Sequence, residues 1–423
     1  MSSYHLWSIG CQMNAADARQ AAEMLEGLGF APVSTPEAAD LIVLITCVVR
    51  QSAEDRVIGR LSSLKSLKRR RHPPAIVVMG CFVPADHESL AAQYPYVDRF
   101  LLPSDLDGLR AFATMLAPQP ATPVAASTAP VSALVPIMHG CDHHCTYCIV
   151  RLRRGPGRSL PMADIVSEVQ RVVAGGAREV TLLGQNVDAY GADLPGAPDL
   201  ADLLRAIHDT PGLARIRFLT SHPAEMTDRL IATVAELPKV CPHFELPVQA
   251  GDDEVLKRMG RHYTVAHYRA LVERIRAQIP DASIATDVIV GFPGESEAQF
   301  AGTVQLLREL RLDAVHVAAY SPRPGTPAAR LPDDVPAEEK TRRRQVIEAL
   351  QEEISGELNA ALLGQMVEIL VEERQRGRWG GRTRSNRLVF FAAEGDWRGQ
   401  LVPVRITWAG PWSLIGELAP RLA

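Results

Sequence analysis

The stretch HGCDHHCTYCIV, residues 139–150, sets Cys141, Cys145 and Cys148 in C-x3-C-x2-C spacing directly after the apolar run LVPIM (134–138). A short apolar run that ends in a polar, cysteine-bearing loop reads as a buried strand delivering ligands at its C-terminal end. A structural zinc site would need a fourth ligand, His143 or His144, and is usually built from two separated pairs rather than one tight loop. Core packing of three cysteines on a polar loop fits poorly. Soft thiolates at this spacing suit an iron–sulfur cluster. If only three thiolates hold a four-iron cube, one iron stays open to an exogenous ligand.

Working outward, the same strand–helix alternation continues to about residue 330. EVTLLG (179–184), RIRFLTS (215–221), HFELPV (243–248), SIATDVIVGF (283–292) and AVHVAAYS (314–321) read as strands, with helical patterns such as MADIVSEVQRVVAGG and ESEAQFAGTVQLLRELR between them. Six βα units predict a partial (βα)6 barrel with its chemistry at the C-terminal strand ends. A charged helix, PAEEKTRRRQVIEALQEEISGELNAALL (336–363), follows, so this central domain spans 133–363. Residues 364–423 are short, β-rich and divided by glycines, and predict an all-β barrel of OB size.

Residues 1–117 also alternate. YHLWSI (4–9), LIVLIT (41–46) and AIVVMG (75–80) predict a parallel α/β sheet domain. APQPATPVAASTAP, with no charge and no periodicity, marks a linker over 118–132. In SIGC, LITC and VMGC, Cys11, Cys47 and Cys81 each stand at or just after the C-terminal end of a strand. Those ends share one edge of an open sheet, where ligands bind. Three thiols there could hold a second cluster, although any one cysteine is equally a common core residue. Cys241, in KVCPHFELP, has no such partners and reads as structural.

The chain of 423 residues carries 45 Lys and Arg against 49 Asp and Glu, a net charge of −4, which excludes a globally basic nucleic-acid binder but not a local basic patch. No apolar run approaches the ~18–20 residues of a membrane span. The N-terminus shows no export signal, so a cytoplasmic location is expected. There disulfides are rare, and seven cysteines read as ligands or core residues.

C-x3-C-x2-C with an aromatic, Tyr147, before its last cysteine resembles the radical S-adenosylmethionine enzymes. The whole chain resembles their methylthiotransferase branch, which joins an N-terminal three-cysteine domain, a radical core and a C-terminal TRAM barrel. GCQMN (10–14), LLGQN (182–186), TSHP (220–223), LPVQAG (246–251), GFPGE (291–295) and SPRPGTPAA (321–329) carry the resemblance. It implies two 4Fe-4S clusters, on Cys11, Cys47 and Cys81 and on Cys141, Cys145 and Cys148. S-adenosylmethionine serves as methyl and radical source, and a sulfur source and an electron donor are needed. Tyr147, Gly184, Gln185, Asn186, Ser221, Gln249 and Asp287 are the positions it assigns to the cofactor pocket.

GCQMN, LLGQNVDAYG and GRTRSNRLVFF look most like the branch that modifies C2 of N6-isopentenyladenosine beside the tRNA anticodon. The rival branches act on threonylcarbamoyladenosine or on an aspartate of a small-subunit ribosomal protein. Charge favours RNA: RQRGRWGGRTRSNR, residues 374–387, holds six arginines and no acidic residue. Arg374, Arg376, Arg378, Arg382, Arg384 and Arg387 are expected to meet phosphates of the anticodon stem-loop, and Trp379 to stack on an unpaired base. KSLKRRRH (65–72) is a weaker signal, since basic residues often close a helix.

The loop after the cysteines departs from this branch. Arg151 replaces a proline, Pro156 takes an acidic position and Leu160 stands for an arginine; Ala250 and Asp252 replace the more usual serines. The altered loop is expected to face the substrate, with Arg151, Arg153 and Arg154 available to a carboxylate or a phosphate.

Overall fold

The computed structural model describes residues 2–116 and 130–419. They form two compact units: the described part of Met1–Thr128 with His139–His143 and Cys148–Arg158, and a second built from the remainder. Most of the expected linker lies outside the described residues.

The first unit is a parallel sheet of β1 (Ser3–Ser8), β2 (Ala31–Pro32), β3 (Leu41–Thr46), β4 (Ala75–Gly80) and β5 (Arg99–Leu101), in the order β2-β1-β3-β4-β5. LIVLIT is buried at all six positions because helices cover both faces. Ile42 and Leu44 point into one core, and Leu41, Val43 and Ile45 into the other. The order reverses between β1 and β3, which fixes where a ligand site lies.

The short β7 (Met138–His139) and β8 (Arg158–Ser159) fall where the chain passes from one unit to the other, and the second unit itself holds β6 (Ser132–Pro136), β9 (Glu179–Leu183), β10 (Arg215–Phe218), β11 (His243–Glu245), β12 (Ser283–Val290) and β13 (Ala314–Ala319). Two parallel three-stranded sheets, β10-β9-β6 and β11-β12-β13, adjoin through the Ile216–Val240 bridge, so six parallel strands line up as a partial barrel. Its apolar contents, including Ile216, Phe218, Phe244, Val288 and Val290, are fully buried.

The helix Ala337–Ala360 leads into a closed barrel of β14 (Met366–Gln375), β15 (Arg378–Thr383), β16 (Leu388–Phe391), β17 (Leu401–Ala409) and β18 (Leu414–Leu418). VPVRIT in β17 alternates buried and exposed residues, as a one-sided strand must. The arginine-rich run 374–387 forms part of a hairpin. Arg374 and Gln375 end β14, and Arg378–Thr383 form β15.

This barrel seats on the N-terminal ends of the core strands. Arg215 Nη1 donates to the Arg382 carbonyl at 2.6 Å, and Arg217 Nη1 and Nη2 donate to those of Arg384 and Thr383 at 2.9 and 2.7 Å. Arg384 Nη2 returns a bond to the Val240 carbonyl at 2.8 Å, and Arg387 Nη2 pairs with Asp313 at 2.7 Å. The turn 383–387 therefore stoppers the end of the barrel opposite the strand ends that carry the chemistry. Cys241 lies buried at this end, in keeping with a structural role.

Candidate functional site

Cys11, Cys47 and Cys81 meet at the carboxyl edge of the first unit's sheet. Cys11 is the N-cap of the helix Gln12–Gly27, while Cys47 and Cys81 follow β3 and β4 directly. Each of the pairs Gly10–Cys11 and Gly80–Cys81 needs its glycine. Gly10 has φ +127° and Gly80 +115°, and a Cβ on either would come within 2.5 Å of Cys47 Cβ or the Thr46 carbonyl oxygen respectively. Asn14, from GCQMN, ties the strand ends together by donating to the Ile9 and Thr46 carbonyls at 2.7 and 2.9 Å.

A cation completes this edge. Arg154, the last residue of the short helix Val150–Arg154 after the other cysteines, donates through Nη2 to Asn14 Oδ1 at 3.0 Å and Asp17 Oδ2 at 3.2 Å, and through Nη1 to Ser104 Oγ at 3.1 Å. The side chains of Arg154 and Asp17 are 3% and 1% exposed. Burial raises the Cys47 thiol and pushes Cys81 up to about 11, while the positive charge of Arg154 works against both shifts. Burial opposes the charge on Arg154 itself, yet Cys81, Asp17 and Cys11 outweigh it and hold the guanidinium charged. Three soft sulfur donors beside a buried cation fit an iron–sulfur cluster of net negative charge.

The altered loop is thus divided in what it touches. Arg154 faces the N-terminal thiols, not an open substrate surface. Arg151 donates to the Asp142 carbonyl at 2.9 Å, and Ile149 is buried in the first unit's core.

The second cysteine set lies on one loop beyond β6 and β7. Cys141 and Cys148 belong to the first unit and Cys145 to the second. Within the second unit, Thr146 N bonds the Met259 carbonyl at 2.9 Å and its hydroxyl the Arg258 carbonyl at 2.8 Å, which fixes the loop beside Cys145. Tyr147 packs against the central core. Arg261 was not singled out by sequence reasoning. It donates to Cys145 Sγ at 3.5 Å, to the Tyr263 hydroxyl at 2.9 Å and to the Pro247 carbonyl at 3.0 Å, and is 8% exposed. Its only signal in the sequence is a turn, MGRHY, between two helical patterns.

In the second unit Gly184, Gln185 and Asn186 follow β9 directly, Ser221 and Gln249 lie a few residues beyond β10 and β11, and Asp287 lies within β12 rather than at its end. Gln185 Oε1, Asn186 Oδ1 and Gln249 Oε1 are buried with no hydrogen-bond partner. Orphaned buried acceptors of this kind need a ligand or water donor. Thr220 and Gln249 are held at φ 71° and 72°, a left-handed backbone uncommon for any residue but glycine and rarer still for the β-branched Thr220. Ser221 Oγ donates to Asp188 at 2.9 Å, so this serine positions an acid. Burial pushes Asp188 up to about 7, and burial with the neighbouring Asp287 pushes Glu245 to about 7. The mouth is rich in half-buried carboxyls, an environment that favours a cationic guest.

In the hairpin, Arg374, Arg376 and Arg378 are exposed. Trp379 is not available for stacking: it is 7% exposed in the barrel core, with Arg374 over its ring at 5.8 Å from the centroid. Arg382, Arg384 and Arg387 are occupied within the protein. Arg382 bonds the Asn386 carbonyl at 3.2 Å, and the other two hold the stopper.

A partial barrel with three cysteines beyond its first strand, joined to a three-cysteine sheet domain and a closed five-stranded barrel, defines a radical S-adenosylmethionine methylthiotransferase. The Radical SAM superfamily matches residues 135–307, Uncharacterized protein family UPF0004 residues 3–101, and the TRAM domain residues 360–419. The chain belongs to the family of the tRNA-2-methylthio-N(6)-dimethylallyladenosine synthases. It is 52% identical to that of Roseiflexus sp. over 98% of this chain and 89% of the relative, and 53% identical to that of Chloroflexus aurantiacus over 98% and 91%. It is also 47% identical to that of Dehalococcoides mccartyi over 99% of each chain. Its fold is similar to that of the radical S-adenosylmethionine methyltransferase TsrM from Kitasatospora setae, with a TM-score of 0.57 at 14% identity over 78% of this chain and 74% of that one.

Proposed function

We propose that this chain places a methylthio group on C2 of N6-isopentenyladenosine beside the tRNA anticodon, in the cytoplasm. The observation that carries the reading is the presence of two three-thiol sets in one chain of this family. Cys141, Cys145 and Cys148 would hold the cluster that binds S-adenosylmethionine, and Cys11, Cys47 and Cys81 the second. Bound there, the cofactors supply the electron transfer that opens S-adenosylmethionine to a carbon radical and the methyl group of the product.

The chain's own residues bind and orient. Gln185, Asn186 and Gln249 would accept hydrogen bonds from S-adenosylmethionine, and the acids about the mouth suit its sulfonium and ammonium charges. Arg374, Arg376 and Arg378 would contact phosphates of the anticodon stem-loop. The apolar isopentenyl group stabilises binding by roughly 2–3 kcal/mol if largely buried. A threonylcarbamoyl carboxylate would require a free cation. The loop offers fewer than its sequence suggests, because Asp17 already matches the charge of Arg154.

The test is reaction of the purified, reconstituted protein with two anticodon stem-loops that differ only in that modification, read by nucleoside mass spectrometry. Methylthiolation of the isopentenyl substrate is expected. Reaction of the threonylcarbamoyl substrate alone, or of a ribosomal protein and neither RNA, would overturn the assignment.

A further inference from the structure

We infer that Arg154, backed by Asp17, is a positioning residue that serves as the fixed counter-cation of the N-terminal cluster and sets its reduction potential. The inference rests on the reading of Cys11, Cys47 and Cys81 as a cluster site. It deepens that reading by giving the site a charge partner from outside the sheet.

The argument is electrostatic and geometric. A cube held by three thiolates carries net negative charge, and burying it without compensation is costly. Cys47 and Cys81 are each 3% exposed, so solvent screens them little. Arg154 is hydrogen-bonded at this edge, and Arg153 lies within electrostatic reach of Cys81. Asn14 and Asp17 take both protons of the Arg154 Nη2, and Ser104 takes one of Nη1. Asn14 Oδ1, which accepts from Arg154, also accepts from Cys11 Sγ at 3.9 Å, so the guanidinium stands beside the thiols. Asp17 stands behind the cation, so the pair presents its positive end to the thiols. A positive charge near a cluster favours the reduced, more negative state and raises the potential.

A latch reading competes. Arg154 and Asp17 could serve only to pin the segment Cys148–Arg158 to the sheet. A latch would change stability and leave the potential where it was, and the two are therefore separable.

The experiment uses the full chain with Cys141→Ala, Cys145→Ala and Cys148→Ala, so that the N-terminal cluster alone is reconstituted and seen by electron paramagnetic resonance during a dithionite titration. In this background Arg154→Gln should keep its iron and shift the midpoint to more negative potential. Arg154→Lys should restore most of that shift. Asp17→Asn, which keeps the cation and removes its counter-anion, should shift the midpoint the opposite way. If Arg154→Gln loses its cluster, the Asp17→Asn shift decides alone. Loaded variants with unchanged midpoints overturn the proposal and leave a latch. A background protein that binds no iron instead overturns the cluster reading beneath it.

Discussion

Arg217, the third residue of β10, donates to the carbonyl of Thr383 at 2.7 Å, across 166 residues of sequence. The same guanidinium pairs with Glu179 at 2.9 Å, both side chains being about 5% exposed or less. One buried ion pair thus lies under the seat of the C-terminal barrel. Its neighbour Arg215 repeats the arrangement by binding the Arg382 carbonyl. Both guanidiniums are spent on carbonyls of the C-terminal barrel, so their work is assembly rather than chemistry.

Arg217→Ala removes one half of that pair and leaves Glu179 buried and uncompensated. Losing one partner of a buried pair costs about 3–5 kcal/mol. Denaturant unfolding followed by tryptophan fluorescence should show a loss of that order, with iron loading at Cys141, Cys145 and Cys148 retained. A midpoint equal to that of the parent would show the seat to be energetically idle.

The arginines of the β14–β15 hairpin should separate into two groups. Replacing Arg374 and Arg378 with alanine should weaken binding of an anticodon stem-loop and flatten its salt dependence by roughly 0.7–0.9 in log–log slope per lost phosphate contact. Arg384→Ala should instead lower stability, because its guanidinium holds the Val240 carbonyl. Filter binding across a salt series, with a thermal melt of each variant, checks both halves. An unchanged salt slope for the first pair would remove this hairpin from the RNA surface.

Cys11→Ala, Cys47→Ala and Cys81→Ala together should leave about half the iron, as expected for loss of one of two cubes. Cleavage of S-adenosylmethionine should persist while the methylthio product disappears. The converse triple change at Cys141, Cys145 and Cys148 should abolish cleavage and keep the other cluster. Iron analysis and 5′-deoxyadenosine assay decide. A failure of the first triple variant to cleave would mean that the two sites are not separable.

The stability of the unloaded protein should carry the signature of Glu245, whose carboxyl burial and Asp287 push from 4.5 to about 7. In that window the folded state keeps a proton that the unfolded state has released. The contribution is therefore full below 4.5 and lost as pH rises toward 7. Glu245→Gln removes the effect, so its advantage over the parent should grow across that interval by at most about 3 kcal/mol. Paired melts at pH 4.5 and 7.5 read it directly, and a constant difference between the two proteins would contradict the origin assigned.

Strands buried on both faces were legible because nothing but their composition was needed. LIVLIT and AIVVMG coincide with β3 and β4. The gathering of Cys11, Cys47 and Cys81 at one sheet edge was legible too, from their places at strand ends. The hairpin was not, because β15 hides its inward alternation behind small residues. Trp379, Gly380, Gly381 and Thr383 are its buried positions, and only the first has the bulk that marks a core. Read without that register, Trp379 and the arginines look like one exposed patch. Arg154 escaped for a different reason. Its partners Asn14 and Asp17 lie 140 and 137 residues away, and no local pattern encodes a pairing that the tertiary fold creates. Arg261 was likewise invisible, since its meeting with Cys145 spans 116 residues.

The return of Cys148–Arg158 to the first unit has a bearing on how the chain can be dissected. A fragment cut within residues 117–129 would carry all three thiols of the sheet edge and still lack Ile149 from its core and the partner of its buried Asp17. Such a fragment should be poorly folded, whatever its cysteines. Grafting that sheet onto another barrel would mean carrying the second loop along with it. The two regions therefore trade as one heritable block, and exchange between relatives by recombination at the intervening stretch should be selected against.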